Sequence, residues 1–215
     1  YEILIGLVGS EMCIRDRSIR GVSMINLKTT RELRYMRDAG KISQEALLKA
    51  GEAVRPGVST LELDKIVRRT IEKAGAVPSF LGYGGFPASA CISVNNVVIH
   101  GIPSAHEILK EGDIVSIDVG AIYEGFNGDN AWTFPCGKVS EEAQKLMDAT
   151  RESLFLAIEK AVPGNRIGDI GYAVQSYCED AGFSVVRDFV GHGTGKELHE
   201  DPEVPNYGHQ GRGPR

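Results

Sequence analysis

Two acids and three histidines carry the chemistry this sequence offers. Asp118 lies in Ser116-Ile117-Asp118-Val119, an acid among β-forming residues, and Asp129 follows in Gly128-Asp129-Asn130. A buried charge without a partner is costly, so an acid inside a strand calls for one. If the segments around the two acids fold back on each other through a two-residue turn at 123–124 or 124–125, the even loop puts both side chains on one face. They then stand directly opposite, with Cβ atoms roughly 5 Å apart, or on the diagonal, depending on which turn forms. Carboxylates that close repel unless a proton or cations lie between them. Hydrolytic metal pairs stand about 3.5–4 Å apart, a separation such a pair can bridge.

His192 sits in Val190-Gly191-His192-Gly193-Thr194-Gly195 after a β-like run, Ser184 to Phe189, and its flanking glycines leave the imidazole unshielded. A neutral ring nitrogen there is a fitting metal ligand. His199 follows in Leu198-His199-Glu200-Asp201-Pro202, and His100 in Ile99-His100-Gly101-Ile102-Pro103. Each histidine alone is better explained by a structural role than by a catalytic one. With the aspartates they make the set that metal-assisted hydrolysis requires. The sequence holds no G-x-S-x-G elbow, no phosphate-binding G-x-x-x-x-G-K-[ST] loop and no H-E-x-x-H zinc motif. Cys91 has no sequence cue coupling it to a base and reads as an ordinary strand thiol.

The elements that must position these residues are legible from spacing. Thr29 and Glu32 form a capping box ahead of an amphipathic helix to about Val54, and Ser59 and Glu62 form another ahead of a helix ending near Gly75. Residues 90–99 read as a hairpin turning at Asn95-Asn96, with His100 ending its second strand. Residues 113–119 and 126–134 read as a second hairpin through Glu124-Gly125. A long helix follows Ser140 to about Val162. Shifting the chain by 107 residues lays Pro56-Gly57 on Pro163-Gly164, Glu62-Leu63 on Asp169-Ile170 and Ala74-Gly75 on Ala181-Gly182. That register favours two structurally similar halves over the alternative of two unrelated amphipathic helices with ordinary stops.

The 215 residues carry 24 Lys+Arg against 29 Asp+Glu, a net charge of −5, which argues against a broad nucleic-acid footprint. The four cysteines, Cys13, Cys91, Cys136 and Cys178, form no C-x-x-C pair and fit a reducing, cytoplasmic setting. The apolar run at residues 1–8 is too short to span a membrane, and residues 1–23 read as a non-native extension that packs against nothing. The fold proper is expected at 24–215, starting from Met24.

The segments Val97 to Pro103, Gly112 to Val119, Gly125 to Asp129, Gly191 to Gly195 and Leu198 to Pro202 together resemble type I methionine aminopeptidases, in that family's order and approximate spacing. The resemblance implies an α/β pita-bread fold, two pseudo-symmetric halves with antiparallel sheet and outer helices, around two divalent metal ions (Co, Mn, Fe or Zn). It implies Asp118, Asp129 and His192 as metal ligands, and His100 and His199 as catalytic residues that contact the substrate. Tyr83, Phe86, Cys91 and Leu198 match positions lining a pocket for the methionine side chain, with Leu198 standing where an aromatic is common and Phe80 where cysteine is frequent. It further implies removal of the N-terminal methionine from nascent chains with a small second residue, by a monomer, with the ribosome as a possible partner and no membrane. Two glutamate ligands of the family pattern lie beyond Arg215, so the second half is expected to be incomplete and the chain as given inactive. A proline-specific peptidase of the same fold and a non-catalytic peptide- or ribosome-binding module are the alternatives.

Overall fold

A computed structural model describes residues 25–215, and the expectation for residues 1–23 lies outside them. The chain divides into two compact units, one ending at Gly137 and the other covering Lys138–Arg215.

In the first unit, helix α1 (Thr30–Glu52) and helix α2 (Thr60–Lys73) both begin at the expected capping boxes. Thr29 and Ser59 each accept the amide three residues on, at 3.3 Å, while Glu32 and Glu62 each return a carboxylate oxygen to the cap amide at 2.8 Å. Among the described residues four strands form the sheet: β1 (Val77–Pro78), β2 (Ala90–Val94), β3 (Ile114–Tyr123) and β4 (Phe126–Pro135). β3 is central and antiparallel to the rest, with β1 and β2 along one edge and β4 along the other. Alternation divides the sheet into two faces. Ala90, Ile92, Val115, Ile117, Val119 and Ala121 point to one face and form the core with Ala46, Leu47, Ala50, Leu63, Val67 and Ile71 of the two helices. The small residues of α1 let its backbone approach closely. A Cβ on Gly128 of β4 would overlap the backbone of Ala39 and Gly40.

The hairpin expected at 90–99 does not form. β2 ends at Val94, and residues 97–100 return without a ladder. Asn95 is held across to β3 instead: its Oδ1 accepts the Ile114 amide at 3.0 Å and its Nδ2 donates to Asp113 Oδ1 at 2.9 Å. The β3–β4 hairpin is present, with Tyr123 opposite Phe126. Glu124 (φ 51°) and Gly125 (φ 78°) both adopt positive φ, as a two-residue turn matched to strand twist requires.

The second unit holds helices α3 (Glu141–Lys160, capped by Ser140) and α4 (Ile167–Asp180), and a small antiparallel pair, β5 (Gly191–Gly193) and β6 (Glu200–Val204). The expected strand at 184–189 is coil: among the described residues β5 and β6 pair with each other alone, and no ladder reaches it. The 107-residue repeat holds in the helices: α4 begins and ends 107 residues after α2 does. The preceding glycines, Gly57 (φ 89°) and Gly164 (φ 99°), and the terminating ones, Gly75 (φ 74°) and Gly182 (φ 90°), share left-handed backbone as well. Asp169 stands in for Glu62, its Oδ2 accepting the Arg166 amide at 2.7 Å.

Candidate metal and substrate site

The β3–β4 register decides how the two acids meet. Asp118 pairs with Ala131 and Asp129 with Gly120, so the acids are diagonal neighbours on one face of the sheet. That face carries Ser93, Ser116, Asn127 and Thr133 beside them, the polar opposite of the helix-covered side. Cys91 of β2 stands directly opposite Asp118 on the other flank.

The electrostatics follow from this placement. Asp118 keeps part of its surface accessible, yet its carboxyl is closely enclosed by protein and hydrogen-bonded to Asp129. Burial first, then the charge of Asp129, push its pKa well above the carboxylate range, with the Val119 amide opposing. Two acids sharing a hydrogen bond need a proton between them, or a cation in its place. This donor pair therefore fits a divalent cation, which a hard carboxylate pair favours. Burial, followed by the charges of Asp118, Asp129 and Asp64, also drives the Cys91 thiol far above its usual range. A thiol held so firmly neutral is no nucleophile.

His100 does not end a strand. It takes left-handed backbone (φ 58°) directly before Gly101, whose amide donates to Ser93 Oγ at 3.0 Å and whose carbonyl accepts the Ile92 amide at 2.9 Å. A Cβ on Gly101 would overlap the backbone of Ile92. Burial lowers the His100 pKa and favours the neutral ring. Among the expected pocket residues, Tyr83 lies half-buried in a single 3-10 turn, Tyr83–Gly85, while Phe86 and Cys91 are buried.

In the second unit His192 is the middle residue of β5, opposite Glu203 of β6. Its Nδ1 lies 2.9 Å from the Gly193 carbonyl. A carbonyl only accepts, so Nδ1 carries a proton, the orientation in which a metal-binding histidine would use Nε2. The His199 ring tilts against His192, with centroids 4.2 Å apart, and Leu198 beside it is buried. Within neither unit do three or more His, Cys, Asp or Glu side chains among the described residues gather around one point. Asp118 and Asp129 are brought together in one unit, His192 and His199 in the other.

One residue of this neighbourhood escaped the sequence reading. Asp64 of α2 is buried, and its Oδ1 accepts the amides of Ser89 at 2.8 Å and Ala90 at 3.0 Å. The available signal was an acid at the position that continues the apolar stripe through Val67 and Ile71.

A sheet face with a hydrogen-bonded carboxyl pair, and a glycine-flanked histidine in a second, repeat-related unit, supply the donor types of a metal-dependent hydrolase. The model of metallopeptidase family M24 matches residues 34–214, and the chain belongs to that family. Over 192 residues it is 57% identical to a methionine aminopeptidase of Clostridium acetobutylicum, covering 89% of this chain and 77% of that protein. Methionine aminopeptidase 1 of Bacillus subtilis is 50% identical over the same length and coverage. Among solved structures, methionine aminopeptidase from Thermotoga maritima matches with a TM-score of 0.87 at 44% identity, covering 88% of this chain and 76% of that one. A prolidase from Pyrococcus furiosus matches at 0.71 and 24% identity, which shows the shared pita-bread fold alone.

Proposed function

We propose that this chain is a methionine aminopeptidase in which Asp118, Asp129 and His192 hold two divalent cations. The reaction is metal-dependent removal of an N-terminal methionine, as the names of its relatives indicate for those proteins. The observation that carries the metal assignment is the enclosed, hydrogen-bonded Asp118–Asp129 pair, whose mutual repulsion a cation relieves. Bound divalent cations supply Lewis acidity and an activated water at neutral pH. The chain's own residues do the rest. Phe86, Cys91, Tyr83 and Leu198 offer apolar surface to the methionine side chain, and the Cys91 thiol, held neutral, adds none of the charge that would repel it. His100, kept neutral by burial, and His199 are the hydrogen-bonding groups that orient the scissile peptide and follow the charge developing on its carbonyl oxygen. Manganese, iron, cobalt and zinc all suit mixed carboxylate and imidazole ligation, so availability selects the ion.

The substrates are nascent chains with a small second residue, met in the cytoplasm by a monomer, with the ribosome as the place of encounter. Among the described residues no helix is long and apolar enough to cross a membrane. The proline-specific alternative is disfavoured by 57% identity to a methionine aminopeptidase against 24% to a prolidase. The test is release of free methionine from Met-Ala-Ser and from Met-Pro-Ser by the whole protein with added Mn²⁺ or Co²⁺, against Ala-Pro-Ser as the proline-specific control. Metal-dependent methionine release that D118N and D129N abolish is the expected result. Cleavage of Ala-Pro-Ser alone, or activity that survives both substitutions, overturns it.

A further inference from the structure

The mechanism leaves one buried acid unused, and its contacts lie one residue from the pocket. Among the described residues β2 pairs only with β3, so on its other side its outward amides meet no strand that could accept them. Two separate devices cover that edge. The Ile92 amide donates to the Gly101 carbonyl at 2.9 Å, and the Ala90 amide, together with that of Ser89, donates to Asp64 Oδ1. Ser89 is 1% exposed and Ala90 fully buried, so without Asp64 both N–H groups would be left without an acceptor or water. The segment so held runs directly into Cys91, whose backbone is in register with Asp118. Three residues upstream of Ser89 is Phe86, the other buried pocket residue of this unit.

We infer that Asp64 is a positioning residue for methionine specificity: its carboxylate clamps the Ser89 and Ala90 amides and so fixes the pocket wall that Phe86 and Cys91 present to the substrate side chain. This rests on the pocket assignment above. A carboxylate suits the task because one oxygen can accept two converging amides, and a charged acceptor strengthens both bonds. The helix supplies rigidity, since Asp64 is flanked on α2 by the fully buried Leu63 and Val67. A pocket wall grips the methionine side chain equally before and during reaction, so loosening it raises KM and leaves kcat nearly unchanged.

The experiment compares Asp64→Asn, which keeps an accepting oxygen, with Asp64→Leu, which removes it. Amide hydrogen exchange at Ser89, Ala90 and Cys91 is read on the chain without metal, and steady-state kinetics with Met-Ala-Ser and its norleucine and leucine analogues on the metal-loaded whole protein. The expected result for D64L is at least tenfold faster exchange at Ser89 and Ala90. Its KM for Met-Ala-Ser should rise roughly tenfold with kcat within threefold, and its preference for methionine over leucine should narrow. D64N should stay within about threefold on every measure. If D64L fails to fold, Asp64→Ser, one bond shorter, takes its place. Unchanged KM and selectivity in an active D64L enzyme overturn the inference, as does a loss of kcat at constant KM. Wild-type protein that binds metal but releases no methionine overturns the functional reading itself, and the exchange data then separate that failure from a failure of the clamp.

Discussion

Replacing Asp118 by Asn should stabilise the protein without metal and destabilise it relative to wild type once metal is added. The structure gives the size. On the diagonal of an antiparallel pair the two backbones stand about 7 Å apart, and full charges at even that distance repel by roughly 2 kcal/mol at an effective dielectric of about 20, a lower bound for carboxyls that share a hydrogen bond. An amide at position 118 removes that repulsion and keeps the shape. For a chain of this size, 1 kcal/mol moves Tm by about 2–4 °C, so D118N should melt roughly 4–8 °C higher in EDTA at pH 8. The gain should shrink toward pH 5, because the folded pair already holds a proton there. The sign follows from linkage: the Asp118 pKa is raised in the folded state, so between the unfolded value and the folded one the native protein binds more protons, and stability falls as pH rises. Metal reverses the order. A cation present at a hundred times its Kd adds about 2.7 kcal/mol to wild type, and D118N should lose most of that increment. The assay is thermal melting by circular dichroism, with EDTA and with Mn²⁺. A lower Tm for D118N in EDTA at pH 8, or an equal metal increment in both proteins, would refute the reasoning.

Other expectations concern the scaffold. Gly128→Ala forces a methyl into the backbone of Ala39 and Gly40, which no rotamer change relieves, and should cost about 3 kcal/mol in urea unfolding. Ser59→Ala removes the oxygen that accepts the Glu62 amide and should cost about 1 kcal/mol by the same measurement. His192→Gln should weaken Mn²⁺ binding at least tenfold in titration calorimetry while leaving the melting temperature in EDTA within about 2 °C of wild type.

What the sequence disclosed was set by local rules. Capping boxes at Thr29 and Ser59 mark helix starts because they satisfy amides within one turn, and both formed where the spacing placed them. The 107-residue register was readable because each repeat is punctuated by glycines with positive φ, a demand that sequence cannot hide. The Asp118–Asp129 geometry was narrowed to two registers, and the Glu124-Gly125 turn selected the diagonal one. The misreadings are tertiary. Residues 90–99 have strand composition and a turn-like Asn-Asn, yet Asn95 spends both its side-chain atoms on Asp113 and Ile114, so β2 pairs with β3 in place of its own return segment. Residues 184–189 have strand composition too, and composition cannot supply the neighbour a strand needs. Asp64 was passed over because its partners lie 25 and 26 residues away, beyond any helical or turn spacing.

The most direct test of the central claim is calorimetric titration of Mn²⁺ into the metal-free chain and into D118N and D129N. The account requires that wild type bind and that each substitution weaken binding at least tenfold, since each removes one of two carboxylates converging on the same point. Equal affinity in all three proteins would contradict it, and would mean that the hydrogen-bonded acid pair is held by a proton alone.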